Sequence, residues 1–280
     1  MSKVKVIHTA EELQQFRKKL NENAHSLGFV PTMGALHNGH VSLIKKSTED
    51  NDFTLISIFV NPKQFNNSED LKQYPRTLSA DLTLLEGLKN CVVFAPDEAE
   101  LYPQNDGFVP MELGTIGLVL EGAFRPGHFE GVVHVVHNLF RLVGANKAYF
   151  GQKDFQQLAI IRLLTHFYGF KTTIVACPTM REASGLAMSS RNMRLNEQEL
   201  QDALVIIETL RFVEAAKNKL TVLETLASAK NNFNSSNLSL EYLAIVDPET
   251  LSELSEWQEN QICCIAAHCG SVRLIDNLLF

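Results

Sequence analysis

Positions 53–60 read Phe53-Thr-Leu-Ile-Ser-Ile-Phe-Val60, apolar almost throughout over the length of one strand, and are stopped by Asn61-Pro62. A strand with one wet face alternates polar with apolar residues. Near-continuous apolarity therefore implies cover on both faces, as in a central strand of a parallel sheet. Further strand-length apolar runs are predicted at 27–33, 91–95, 147–150 and 172–177. Helical patterns are predicted around them at 9–20, 38–50, 79–89, 130–143 and 154–168, the first opened by a capping box of Thr9 and Glu12. This alternation predicts a doubly wound α/β sheet, in which functional groups gather at the carboxyl ends of the strands. His37, Asn61 and Lys153 fall there, in three different strand-to-helix loops.

After Pro178 the pattern changes. A Ser/Arg/Asn-rich stretch at 184–192 leads to helical patterns at 197–217 and 221–233 and to short alternating strands near 240–246, 261–267 and 271–275. The reading is a main domain over 1–178 and a small α+β domain over 179–280, hinged near 178–190 and acting as a lid.

Within the first domain, Pro31-Thr-Met-Gly-Ala-Leu-His-Asn-Gly-His40 joins the 27–33 strand to a helix start. A glycine-bearing loop between strand and helix is where backbone N–H groups and the helix dipole can hold phosphate. His37 and His40, three apart, can present both rings to one side and donate to phosphate oxygens as charge moves onto them. Gly39 is expected to keep the backbone close to the ligand.

Four further polar clusters stand at loop positions. Asn61-Pro-Lys-Gln-Phe65 offers Gln64 as donor and acceptor, or is a plain turn. Gly122-Ala-Phe-Arg-Pro-Gly-His-Phe129 is a loop or an anion-closing segment. Gly151-Gln-Lys-Asp-Phe-Gln-Gln157 places Lys153 as a point charge for phosphate, with Asp154 beside it. Met188-Ser-Ser-Arg-Asn192 is a serine cap or a flexible clamp on a triphosphate.

A net charge of −7 argues against nucleic-acid and anionic-membrane surfaces, so an anionic ligand must be met by local cations. No apolar run reaches membrane-span length, and Met1-Ser-Lys-Val-Lys5 does not resemble a secretion signal. The five cysteines read as reduced thiols of a cytoplasmic protein; Cys263, Cys264, His268 and Cys269 read as core rather than as metal ligands. The chain lacks Gly-x-Ser-x-Gly, His-Glu-x-x-His, a P-loop and the dinucleotide Gly-x-Gly-x-x-Gly. With no evident covalent nucleophile, nucleotidyl transfer by positioning and electrostatics is favoured.

These motifs, with Tyr74-Pro-Arg-Thr77, Gly185-Leu-Ala-Met-Ser-Ser-Arg-Asn192 and Arg273-Leu-Ile-Asp-Asn277, closely resemble the pantothenate synthetase (pantoate–β-alanine ligase) family over essentially the whole chain. The resemblance implies a Rossmann-like fold of the His-x-Gly-His nucleotidyltransferase superfamily. It implies a two-step reaction: ATP and D-pantoate give pantoyl adenylate and pyrophosphate, and β-alanine then gives pantothenate and AMP. Catalytic roles would fall to His37, His40, Lys153 and Arg191, with His40 at the position usually assigned as proton donor. ATP would meet Met33, Gly34, Ala35, Leu36, His37, Asn38, Gly39, His40, Gly151, Gln152, Lys153, Asp154, Met180, Met188, Ser189, Ser190 and Arg191. Gln64, Gln157, Asn61, Pro31, Phe59 and Phe65 would contact pantoate or β-alanine. Mg²⁺ would accompany ATP, and a homodimer would be expected.

Departures from the family pattern are Ser184 for Asp, Arg194 for an aromatic, His134 and His137 for Thr and Lys, and Gln152 for Glu. Two other readings stay open from sequence: a nucleotidyltransferase acting on a phosphate-bearing acceptor, and a nucleotide-binding regulator without turnover.

Overall fold

The computed structural model describes residues 4–280; Met1, Ser2 and Lys3, which begin the stretch read above for a secretion signal, lie outside the described residues. Six strands form one sheet: β1 (Lys5–Ile7), β2 (Leu27–Thr32), β3 (Phe53–Ile58), β4 (Cys91–Phe94), β5 (Lys147–Gly151) and β6 (Thr173–Cys177). All neighbours are parallel, in the order β1-β4-β3-β2-β5-β6. Helices α1 (Ala10–Glu22), α2 (Asn38–Asp50), α3 (Leu78–Leu84), α4 (His128–Val143) and α5 (Phe155–Phe167) cover it.

The strands are apolar throughout because adjacent side chains enter different cores. Phe29, Leu55, Val92 and Phe150 pack with α1, α4 and α5. Their neighbours Val30, Ile56, Val93 and Tyr149 pack with Leu43 and Ile44 of α2 and Leu85 after α3.

Beyond β6 come α6 (Leu204–Ala216), α7 (Val222–Phe233) and the antiparallel sheet of β7 (Ser239–Val246), β8 (Ile262–Cys269) and β9 (Val272–Leu279). Here β8 departs from the expected alternation, being buried from Ile262 through Ala267. Cys263 and Ile265 join the core under α6 and α7, whereas Ile262 and Cys264 join the core of the parallel sheet. The small sheet is therefore a middle layer with two dry faces.

Other boundaries shift for local reasons. β3 stops at Ile58, two residues short of the expected end, because its partners end at Thr32 and Phe94. The 79–89 helix gives way after Leu84 to tight turns and Gly87 in a left-handed conformation. The 197–217 helix is two, Glu197–Asp202 and α6, divided where Ile206 N–H turns back to Ala203 O at 3.1 Å. Strand β1, three residues long, was too short to register as a pattern.

Candidate active site

The sheet reverses its winding between β2 and β5, the place where open α/β sheets bind ligands. These strands pair only at Gly28–Lys147 and Phe29–Ala148, although β2 runs on to Thr32 and β5 to Gly151. Their carboxyl ends splay apart, and a cleft opens between them. It is lined by Pro31, Met33, His37, Gly39, His40, Phe59, Asn61, Gln64 and Phe65 from one side, and by Gly151, Lys153, Asp154 and Gln157 from the other. Met180 and Met188 through Arg191 close a third side.

His37 is the N-cap of α2, and its Nδ1 accepts Gly39 N–H at 3.1 Å. His40 Nδ1 accepts His37 N–H at 3.3 Å, and the ring centroids lie 4.1 Å apart. A nitrogen that accepts an N–H carries no proton, so each neutral ring keeps its proton on Nε2. Burial first, then the Lys153 ammonium, pushes His37 down to about 4. Burial, His37 and Lys153 push His40 to about 3. Near neutral pH both rings are thus uncharged Nε2–H donors. A Cβ on Gly39 would lie 2.8 Å from His37 Cε1 and Nδ1, so this glycine makes room for the His37 ring over the helix end. The space the sequence reading reserved for ligand is filled by the histidine.

The loop amides also have another use than the one expected. Gly34 N–H donates to Thr32 Oγ1 (3.2 Å), Ala35 N–H to Asp81 Oδ2 (3.1 Å) and Leu36 N–H to Asp81 Oδ1 (2.8 Å). Asp81, buried on α3, clamps a turn in which Gly34 and Ala35 both have positive φ. Gly34, Ala35, Leu36, Asn38 and Gln152 do not line the cleft, and Asn38 is exposed. Imidazole donors, rather than a nest of loop N–H groups, face the ligand space. Asp81 was missed from sequence; an acid on the apolar Leu78/Leu82/Leu85 face of a helix was the available signal.

Gln64 is held rigidly. Its Oε1 accepts Asn61 Nδ2–H at 3.0 Å, and one Nε2–H points to Met33 Sδ at 3.0 Å. Asn61 also donates to Gly131 O (3.1 Å) and accepts from Lys63 N–H (3.2 Å) and Tyr102 OH (2.7 Å). Every polar valence of Asn61 is thereby engaged within the protein, so it orients Gln64, whose second Nε2–H is left over. His128, buried and pushed down to about 4 by burial and then by Arg125, donates from Nδ1 to Gln64 O (2.8 Å) and accepts from Arg125 at Nε2 (3.0 Å). Arg125 and His128 both line the cleft. His134 and His137 do not line the cleft; His134 stacks on Phe108 and donates to Asp106 at 2.6 Å.

On the far side Asn277 of β9 donates to the carbonyls of Gln152 (3.0 Å) and Lys153 (2.8 Å), and Asp276 holds Arg181 at 2.6 and 3.1 Å. Ser189 caps the 190–194 turn, and Ser190 Oγ lies 3.1 Å from Tyr74 OH. Arg191 meets Asp70 Oδ2 and Arg194 meets Asp70 Oδ1, both at 2.9 Å. Ser184 is exposed in the 182–185 turn.

Two neutral imidazole donors, an ammonium, two guanidiniums and one carboxylate thus ring a cleft with an apolar wall. Among the described residues, no cluster of three or more His, Cys, Asp or Glu could hold a metal. Such a site can neutralise a polyphosphate and position an acid beside it.

The model of the family described as pantoate-beta-alanine ligase matches residues 5–279. The pantothenate synthetase of Bacteroides thetaiotaomicron is 46% identical, covering 99% of this chain and 99% of its own. That of Cytophaga hutchinsonii is also 46% identical, over 95% and 97%. The crystal structure of pantothenate synthetase from Thermus thermophilus superposes with a TM-score of 0.91 at 40% identity, over 98% of this chain and 99% of that one. Pantoate-beta-alanine ligase from Francisella tularensis, complexed with beta-gamma ATP and beta-alanine, gives 0.84 at 37% identity, over 99% and 97%.

Proposed function

The chain belongs to the pantoate–β-alanine ligase family, and from that premise we propose how its cleft carries out the ATP-dependent condensation of pantoate with β-alanine. The observation that carries the assignment is the pair of Nε2–H donors fixed by the backbone at His37 and His40. As the pantoate carboxylate attacks the α-phosphorus of ATP, the bond to pyrophosphate breaks and negative charge grows on the phosphate oxygens. Donors already oriented and uncharged stabilise that charge without first having to reorganise. Lys153 and Arg191 offset the charge of the triphosphate. Gln64 and Gln157 hold pantoate, and Pro31, Phe59 and Phe65 face its dimethyl group, with Asn61 positioning Gln64. In the second step the amine of β-alanine attacks the acyl carbon, AMP leaves with the former carboxylate oxygen, and the proton of the amine is released. A mixed anhydride hydrolyses readily, so the 179–280 segment acting as a lid protects it until the amine arrives.

Among the described residues, Asp154 is the only carboxylate lining the cleft. That donor set suits Mg²⁺ arriving on the phosphates of its substrate rather than in a protein cage. The buried thiols, with Cys91 pushed up to about 11 by burial, suit a reducing cytoplasm. No helix among the described residues is long and apolar enough to cross a membrane. Self-association as a homodimer follows from the family likeness and is read out by light scattering.

The test is ATP–pyrophosphate exchange with Mg²⁺ and D-pantoate, without β-alanine. Pantoate-dependent exchange, followed by pantothenate and AMP once β-alanine is added, is the expected result. Exchange that ignores pantoate would sink the reading in favour of a transferase with another acceptor. ATP binding with no exchange would leave a regulator.

A further inference from the structure

Arg191 and Arg194 leave the 190–194 turn on the same side and meet different oxygens of one carboxylate, Asp70, on the short helix Ser68–Gln73 across the cleft mouth. Only Arg191 lines the cleft. Arg194 has a second anchor on the same helix, Gln73 Oε1 at 2.7 Å. Asp70 is three-quarters buried at its side chain and has no other ion-pair partner among the described residues. The consequence is electrostatic. When a triphosphate draws Arg191 into the cleft, Asp70 loses one guanidinium just as a polyanion arrives nearby. Without a second partner it would be a poorly solvated carboxylate repelling that polyanion.

We propose that Arg194 is a positioning residue for ATP: it keeps Asp70 neutralised, which frees Arg191 to move from Asp70 to the triphosphate. This rests on the reading of Arg191 as a phosphate ligand. Arg194 itself touches neither nucleotide nor reacting atoms, and the exchange of partners moves no proton.

The experiment is steady-state kinetics of Arg194→Ala, Arg194→Lys, Asp70→Asn, the double variant Asp70→Asn/Arg194→Ala, and Arg191→Ala. Arg194→Ala is expected to raise the KM for ATP about fivefold, the scale of one partly exposed ion pair. Its kcat at saturating ATP and its KM for pantoate should stay within about twofold, and Arg194→Lys should recover most of the loss. The decisive arm is the double variant: with the Asp70 charge gone there is nothing left to neutralise, so KM for ATP returns to near the wild-type value. A double variant as impaired as Arg194→Ala overturns the proposal, because Arg194 would then act on the nucleotide directly or only through folding. So does an unchanged KM for ATP in Arg194→Ala while Arg191→Ala is strongly impaired. If Arg191→Ala itself leaves ATP kinetics untouched, the reading of Arg191 fails, and this proposal fails with it.

Discussion

At the scale of single residues, the site depends on which atom of each side chain is already occupied. His37 and His40 are committed at Nδ1 to backbone amides, and Asn61 is committed at all four valences. What remains available is what can act: two Nε2–H groups, one N–H of Gln64 and the Lys153 ammonium, which stands 3.7 Å from Asp154 Oδ1. His40→Ala and Lys153→Ala are each expected to lower the adenylation rate by about 10²–10³-fold, the scale for removing one preorganised donor from a developing oxyanion. Pyrophosphate exchange at saturating ATP and pantoate reads this directly, with circular dichroism to show that the fold survives. Rates within a few-fold of wild type in both variants would return the chemistry to other groups. Sequence reading reached these residue types and their loops. It could not reach their protonation, because spacing does not reveal that the Gly39 amide points at an imidazole.

Among elements, the site depends on close packing of one helix on one turn. A Cβ on Gly131 would lie 2.2 Å from Lys63 O and 2.8 Å from Gln64 Cα, so α4 meets the 62–64 turn backbone to backbone. Gly131→Ala must push that turn away, and Gln64 with it. The expected cost is about 1–3 kcal/mol of stability, as for other over-packed sites, together with a raised KM for pantoate and little change in that for ATP. Urea unfolding and initial-rate kinetics check both; normal pantoate affinity would show that the turn relaxes without consequence. The elements themselves were largely legible. Capping by Thr9 and Glu12 is present as read, and α2 spans 38–50 as expected. Less legible were features set by partners distant in sequence. Ile58 ends β3 because Thr32 and Phe94 end its neighbours, and Cys264 is buried by a core that lies far from it in the chain. Asp81 clamps the loop through two amides 45 and 46 positions away.

The whole molecule is tied across its two sheets by charge as well as by the apolar contacts of β8. Glu121, buried beside the cleft loop, accepts from Arg273 at 2.7 and 2.8 Å and from Tyr242 OH at 2.8 Å, both on the small sheet. Arg125, which lines the cleft, stands 3.6 Å away. Burial alone would raise the pKa of this carboxyl; Arg273, then Arg125 and Tyr242, outweigh it and hold the group at about 2. Removing its charge leaves Arg273 with Glu241 alone, and Arg125 with no ion-pair partner, among the described residues. Glu121→Gln is therefore expected to cost roughly 3 kcal/mol at pH 7, the low end for breaking a buried pair, because the amide keeps some of the hydrogen bonds. The pH dependence has a definite sign. A carboxyl whose folded pKa lies below its ordinary 4.5 stabilises the fold above that pH and loses the contribution as pH falls toward 2. The stability gap between wild type and Glu121→Gln should thus be constant from pH 7 to about 5 and close progressively below 4.5. Urea midpoints at pH 7 and 3.5 measure it. A gap that stays open in acid would mean that the carboxyl serves this junction by shape and hydrogen bonding, with its charge contributing nothing to the coupling between the two sheets.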